Sequence, residues 1–185
     1  EVVAKEVADA LEKQQAINAA KPVAAEAGKN AADKAKGEGK STSEQAAAAG
    51  EAAAQAMTDA GGSAQDAIDA AVAAAKEAGG SLEDRALAAG AAAAAHAKAA
   101  GQPASEQAGA ARDAATKVMV DGGASDEDTK AVATKAHQSA SSDDEVVAKE
   151  IDDALKNQQA INDAKPAAAE AGKDAADKAK GEGKS

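Results

Sequence analysis

The chain has 185 residues and a formal net charge of −11, and its apolar set is 62 Ala with 10 Val, 4 Leu, 4 Ile and 2 Met, without Phe, Tyr, Trp or Cys. The lack of Cys excludes disulfides, thiolate metal sites and Cys nucleophiles, and an acidic balance without aromatic rings removes the usual supports of nucleic-acid binding. The longest uncharged run, Ala86 to Ala97, falls far short of the roughly 20 apolar residues that cross a bilayer.

Composition pulls in two directions. Leu, Ile, Val and Phe together supply 18 residues, a share that at high net charge marks disordered chains. Alanine, however, has the best intrinsic helix propensity, and most of the remaining residues are helix-compatible Glu, Lys, Gln and Asp. Helices are predicted near 1–20 and 22–36, separated at Lys21-Pro22, and near 43–60, after Gly37 to Ser41. The next follow near 64–79, after Gly61-Gly62-Ser63, and 82–100, after Gly79-Gly80-Ser81. Two more follow near 103–121, after Gly101-Gln102-Pro103, and 126–141, after Gly122-Gly123. The first pair starts again at 145 and 166, the second of these marked by Lys165-Pro166. At each break Gly supplies a left-handed C-cap, Ser or Asp an N-cap, or Pro a first turn. No strand is expected. Connections of two to six residues make consecutive helices antiparallel neighbours, so the expected fold is all-α: stacked helical hairpins in an Ala-rich bundle or solenoid. Larger apolar residues on helical spacing are the candidate core: Val3, Val7, Leu11 and Ile17, then Ile68, Val72 and Ala75, then Ala115, Val118 and Met119. Alanine widens these thin stripes and lets helix axes approach closely.

A repeat organises the chain. Residues Glu1 to Ser41 return as Glu145 to Ser185, an offset of 144 with 34 of 41 positions identical; the changes include Val7 to Ile151, Ala8 to Asp152 and Glu12 to Lys156. Within the unit, Ser43-Glu44-Gln45, Met57, Asp59, Gly61 and Ser63 return 62 residues later as Ser105-Glu106-Gln107, Met119, Asp121, Gly123 and Ser125. The expected organisation is one complete unit of about seven helices over 1–144, followed by the first helical hairpin of the next unit over 145–185. Stacked units cover one another's exposed faces, so a longer array of such units is expected.

Chemical motifs are few. Gly39-Lys40-Ser41 and Gly183-Lys184-Ser185 end like a phosphate loop, but Lys34 and Lys178 stand where that motif needs glycine. They are read as turns. His96 and His137, the two histidines, lie late in Ala-rich helices, where the dipole favours imidazole. Carboxylates at Asp126, Glu127, Asp128, Asp143 and Asp144 are the calcium candidates, though each cluster opens a helix and complements its dipole. Gln14-Gln15 and Gln158-Gln159 read as solvent-face residues, with cross-linking as the functional alternative. No catalytic residues and no cofactor are assigned.

The run Asp126 to His137 resembles an alanine-rich helix ending in His in peridinin–chlorophyll proteins of dinoflagellates, whose aromatic-containing pigment cavities this composition cannot build. Ala31 to Lys36 and Ala175 to Lys180, each reading Ala-Ala-Asp-Lys-Ala-Lys, resemble tracts of late-embryogenesis-abundant stress proteins. That resemblance implies a chain disordered in water and helical on drying. In composition the chain also resembles an Ala-rich fish antifreeze type, which implies an ice-binding helical face. The functional expectation is a non-catalytic structural repeat module of a long, secreted, fibrous or extended helical assembly. Its partners are neighbouring copies of the same repeat, through self-association, with neither nucleic acid nor membrane involved. The alternative is an ice-binding or desiccation-protective protein.

Overall fold

The structure, a computed structural model, describes residues 2–140 and 151–164. Among these there is no strand. The helices are α1 (Val2–Gly37), α2 (Thr42–Asp59), α3 (Ala64–Glu77), α4 (Leu82–Ala99), α5 (Ala104–Asp121) and α6 (Asp126–Ala140), followed by α7 over 151–164. The all-helical expectation holds, and α2 to α6 fall within two residues of their predicted ends.

The start of the chain differs from expectation. Lys21-Pro22 does not separate two helices, because α1 runs unbroken for 36 residues with Pro22 inside it. Proline removes the hydrogen bond to the carbonyl four residues back, here that of Asn18. Both Asn18 and Pro22 are exposed, so water can take the freed carbonyl. Residues 1–41 are therefore not a hairpin. The matching hairpin over 145–185 lies partly outside the described residues.

The connections between α1 and α6 share one construction. Each helix ends on a glycine of positive φ, namely Gly39, Gly61, Gly79, Gly101 and Gly123. Its N–H bonds the carbonyl three residues back and the next N–H reaches five back, as in Gly39 N–H to Lys36 and Lys40 N–H to Ala35, both 3.0 Å. This double bond closes the exposed carbonyls of the last turn. The residue after that is the N-cap of the following helix. Ser41, Ser63 and Ser81 each accept the backbone N–H three residues on and receive that residue's carboxylate in return, from Glu44, Asp66 and Asp84. Pro103 takes the same place before α5 without a side-chain bond. The left-handed glycines are 22, 18, 22 and 22 residues apart. The short interval differs by four residues, close to one helical turn, so α3 leaves on nearly the same face.

The core is built from alanine. Ala46, Ala49, Ala53, Ala67, Ala71, Ala75, Ala86, Ala89, Ala108, Ala111, Ala115 and Ala133 are all completely buried. The fully buried side chains larger than these are Met57, Thr116 and Thr129, and both threonine hydroxyls donate to carbonyls one turn back, of Arg112 and Ser125, at 2.8 Å. Of the expected core, Ile17, Ala75, Ala115 and Met119 are buried, whereas Ile68, Val72 and Val118 are partly covered. Val7 and Leu11 stand 62% and 57% exposed. Methyl groups thus fill most of the centre, joined by Ile17, Met57, Met119 and Val132.

Each helix packs on the next, and α1 also reaches α3, α2 reaches α4, and α4 reaches α6. Three buried glycines make these longer contacts possible. A Cβ at Gly28 would lie 2.7 Å from the Ala74 methyl, at Gly50 2.8 Å from that of Ala88, and at Gly90 3.1 Å from that of Ala136. The same added Cβ atoms would lie 3.0, 3.3 and 2.9 Å from the backbone oxygens of Ala49, Ala71 and Ala111. Each glycine in one helix therefore faces a carbonyl of the next helix and a methyl of the one after. Each also precedes its left-handed glycine by eleven residues, as 28 precedes 39, 50 precedes 61 and 90 precedes 101. In α3 and α5 that place is held by Ile68 and Arg112.

Exposed helix glycines normally gain about 1 kcal/mol on replacement by alanine. At Gly109, where an added Cβ would meet only Arg112 at 3.8 Å, alanine should stabilise by about that amount. Gly50→Ala should instead cost about 1–3 kcal/mol by overpacking. Denaturant melts of the two variants check the opposite signs.

The caps generate a pH dependence. Glu44 and Asp66 are held below the usual carboxylate range by hydrogen bonds from Ser41 and Ser63. Burial pushes Asp84 up, but bonds from Ser81 and from Ser43 on α2 outweigh it and leave its pKa lowered. Carboxylates depressed on folding stabilise above their unfolded values and lose that contribution as pH falls through the folded ones. The melting temperature should therefore drop below about pH 4. Ser63→Ala should cost about 1 kcal/mol at pH 7 and less at pH 3, measured by paired thermal melts.

Candidate functional site

Among the described residues, the side chains singled out in the sequence are spread over α1, α4, α6 and α7. Asp126 accepts a hydrogen bond from Gln159 at 2.8 Å and Asp128 one from Ser125 at 2.7 Å, while Glu127 is exposed. Asp143 and Asp144 lie outside the described residues. Among the described residues no group of three or more His, Asp or Glu could hold a metal ion. Gly39-Lys40-Ser41 is the α1–α2 turn, and its serine caps α2. His137 is buried on α6, and its Nδ1 has no hydrogen-bond partner among the described residues. His96 is half-buried and lines a groove instead. Gln14 and Gln15 are exposed, and Gln14 lies 3.4 Å from Asn18 one turn on.

That groove, about 860 Å³, lies where α3 and α5 are held apart over α4. Ile68 occupies the position at which α1, α2 and α4 carry glycine, and packs with Val72 against Ala89, Ala93 and Ala114. The rim is charged but internally paired. Arg85 donates to the Ser81 carbonyl at 3.2 Å, Arg112 bonds Asp113 at 2.9 Å, and Lys117 bonds Asp121 at 2.6 Å. A second groove of about 610 Å³ separates α5 from α7 beside Arg112.

The most built contact outside the α1–α6 core is the face of α6 that receives α7. Ile151 and Leu155 are 2% and 4% exposed, and Ile151 packs on the completely buried Ala133. Polar bonds flank this strip: Lys130 to Asp152 at 2.7 Å, Gln159 to Asp126 at 2.8 Å, and Asn162 to Asp121 at 2.9 Å. The Lys130–Asp152 bond raises the lysine pKa and lowers that of the aspartate. Such exposed pairs add specificity more than energy, so the two apolar side chains dominate the attachment.

Residues 145–164 are the returning copy of residues 1–20, so this contact joins one copy of the sequence to the end of the other. The sequence repeat implies stacking of this kind without naming the residues that make it. The available signal was the pair of substitutions Val7 to Ile151 and Ala8 to Asp152, which enlarge an apolar group and add a charge where α6 presents Ala133 and Lys130. Comparison with known protein families, with curated proteins and with solved structures finds no match to this chain.

Ile151→Ala should lower the stability of the α6–α7 contact by about 2–5 kcal/mol, seen as faster amide exchange over 151–164. The equivalent Val7→Ala, at an exposed position, should alter global stability by no more than about 0.5 kcal/mol.

Proposed function

We propose that the chain is a non-catalytic structural module of a long, extended helical array, built by stacking 144-residue units as antiparallel hairpins. The observation that carries this reading is the seating of Ile151 on Ala133 of α6, by which the start of one copy continues the packing of the other. Further support comes from the repeated connector and from the direction of neighbouring contacts. Gly50 faces Ala71 while Ala46, earlier on α2, faces Gly80 at the far end of α3, as antiparallel neighbours require. A secreted, fibrous setting suits a product whose use is the array itself.

The protective alternative makes a different demand on the fold. An ice-binding face needs a row of outward hydroxyls, whereas Thr116 and Thr129 are buried and bonded to their own helices. A desiccation protectant needs a chain without fixed packing in water.

The two are separated by far-UV circular dichroism melts of this chain and of one lengthened by a further 144-residue unit. The array reading expects a single cooperative transition for each and a higher midpoint for the longer chain, since every added interface stabilises its neighbours. A weak signal that fades gradually would assign the protective role. Equal midpoints would make the units independent beads.

A further inference from the structure

The duplicated helix occurs twice in this structure, and its two copies bury complementary halves. In α7 Ile151 and Leu155 are buried, Ile151 against Ala133 of α6, while Ile161 is 54% exposed. In α1 the pattern is reversed. Val7 and Leu11, the counterparts of Ile151 and Leu155, are 62% and 57% exposed, while Ile17, the counterpart of Ile161, is 6% exposed within the core formed with α2, α3 and α4. From Ala10 to Ala16 every residue of α1 is exposed. A helical segment of this length, about two turns, is marginal in water without a packing partner.

We infer that Val7 and Leu11 form a docking strip for the α6 face of a second copy of the 144-residue unit, making α1 a joint helix shared between two units. Its first half attaches to the α6 of one unit, and its second half, from Ile17 onward, nucleates the next. Pro22 marks the region of change without breaking the rod, on a stretch where Asn18 and Pro22 are both exposed. The occupant is specified by the interface already present on α6. Ala133 receives Ile151 there, and the shorter Val7 presents the same β-branched shape. Gln15 and Asn18 repeat Gln159 and Asn162, the partners of Asp126 and Asp121. Ala8 replaces Asp152, so the bond to Lys130 is absent from this version of the joint, and apolar contact must suffice.

The inference rests on the array reading, and one experiment separates their fates. The chain contains no cysteine, so introduced pairs report cleanly. Ala133→Cys with Ile151→Cys in the 185-residue chain is the reference pair, oxidised under mild conditions and read on a non-reducing gel. The test pair is Ala133→Cys in an added leading unit and Val7→Cys in the full chain that follows it. Cross-linking of the test pair to within about twofold of the reference is expected. Cross-linking of the reference alone would overturn the joint helix and leave the array reading standing. Failure of the reference pair would show that the α6–α7 contact does not form, and both would fall.

Discussion

Close approach of alanine-lined helices is the constraint on which the rest of this structure depends. Each alanine methyl removes little area from water, so hydrophobic transfer per residue is small. What compensates is distance, because helices without bulky side chains bring their backbones together. The three buried glycines extend that principle to its limit, with carbonyl oxygens standing where a Cβ would clash. Caps and left-handed glycines are then more than local trimming. They fix helix length and exit angle closely enough for such short-range surfaces to meet, and one or two residues of slippage would separate them.

Much of this architecture is legible in the sequence, for a definite reason. Cap chemistry is local, so Ser41, Ser63 and Ser81 with the glycines before them announce helix ends without reference to tertiary structure. Pro22 is equally local but misleads, since its cost depends on whether the freed carbonyl meets water. That is a property of the assembled helix. The core was also misread by size. Val7 and Leu11 sit on helical spacing yet are exposed, whereas Ile17 and Met119 are buried, so size alone does not mark the interior. Glycine at a fixed distance from the next left-handed glycine was the unrecognised signal. It becomes readable only once the helices are aligned by their ends.

The candidate site was less legible than the fold. Its residues are not chemically distinctive, and neither Ile151 nor Leu155 belongs to any motif. They matter because α6 lies beneath them, a relation between segments that a linear reading of spacing does not carry. In the acidic cluster at Asp126 to Asp128, the outer members accept hydrogen bonds from Gln159 and Ser125. The charges there orient a contact and cap a helix.

The position occupied by Gly28, Gly50 and Gly90 but by Ile68 and Arg112 in α3 and α5 carries one further consequence. Helices α2, α4 and α6 touch in succession and α1 touches α3, whereas α3 is held away from α5 and a groove parts α5 from α7 beside Arg112, short of the Asn162–Asp121 bond at the end of α5. A stack whose one side is spaced more widely than the other must bend toward the tighter side. In the proposed array, curvature would then be set one residue per helix, and exchanging a single glycine for a branched side chain would open one side of the stack.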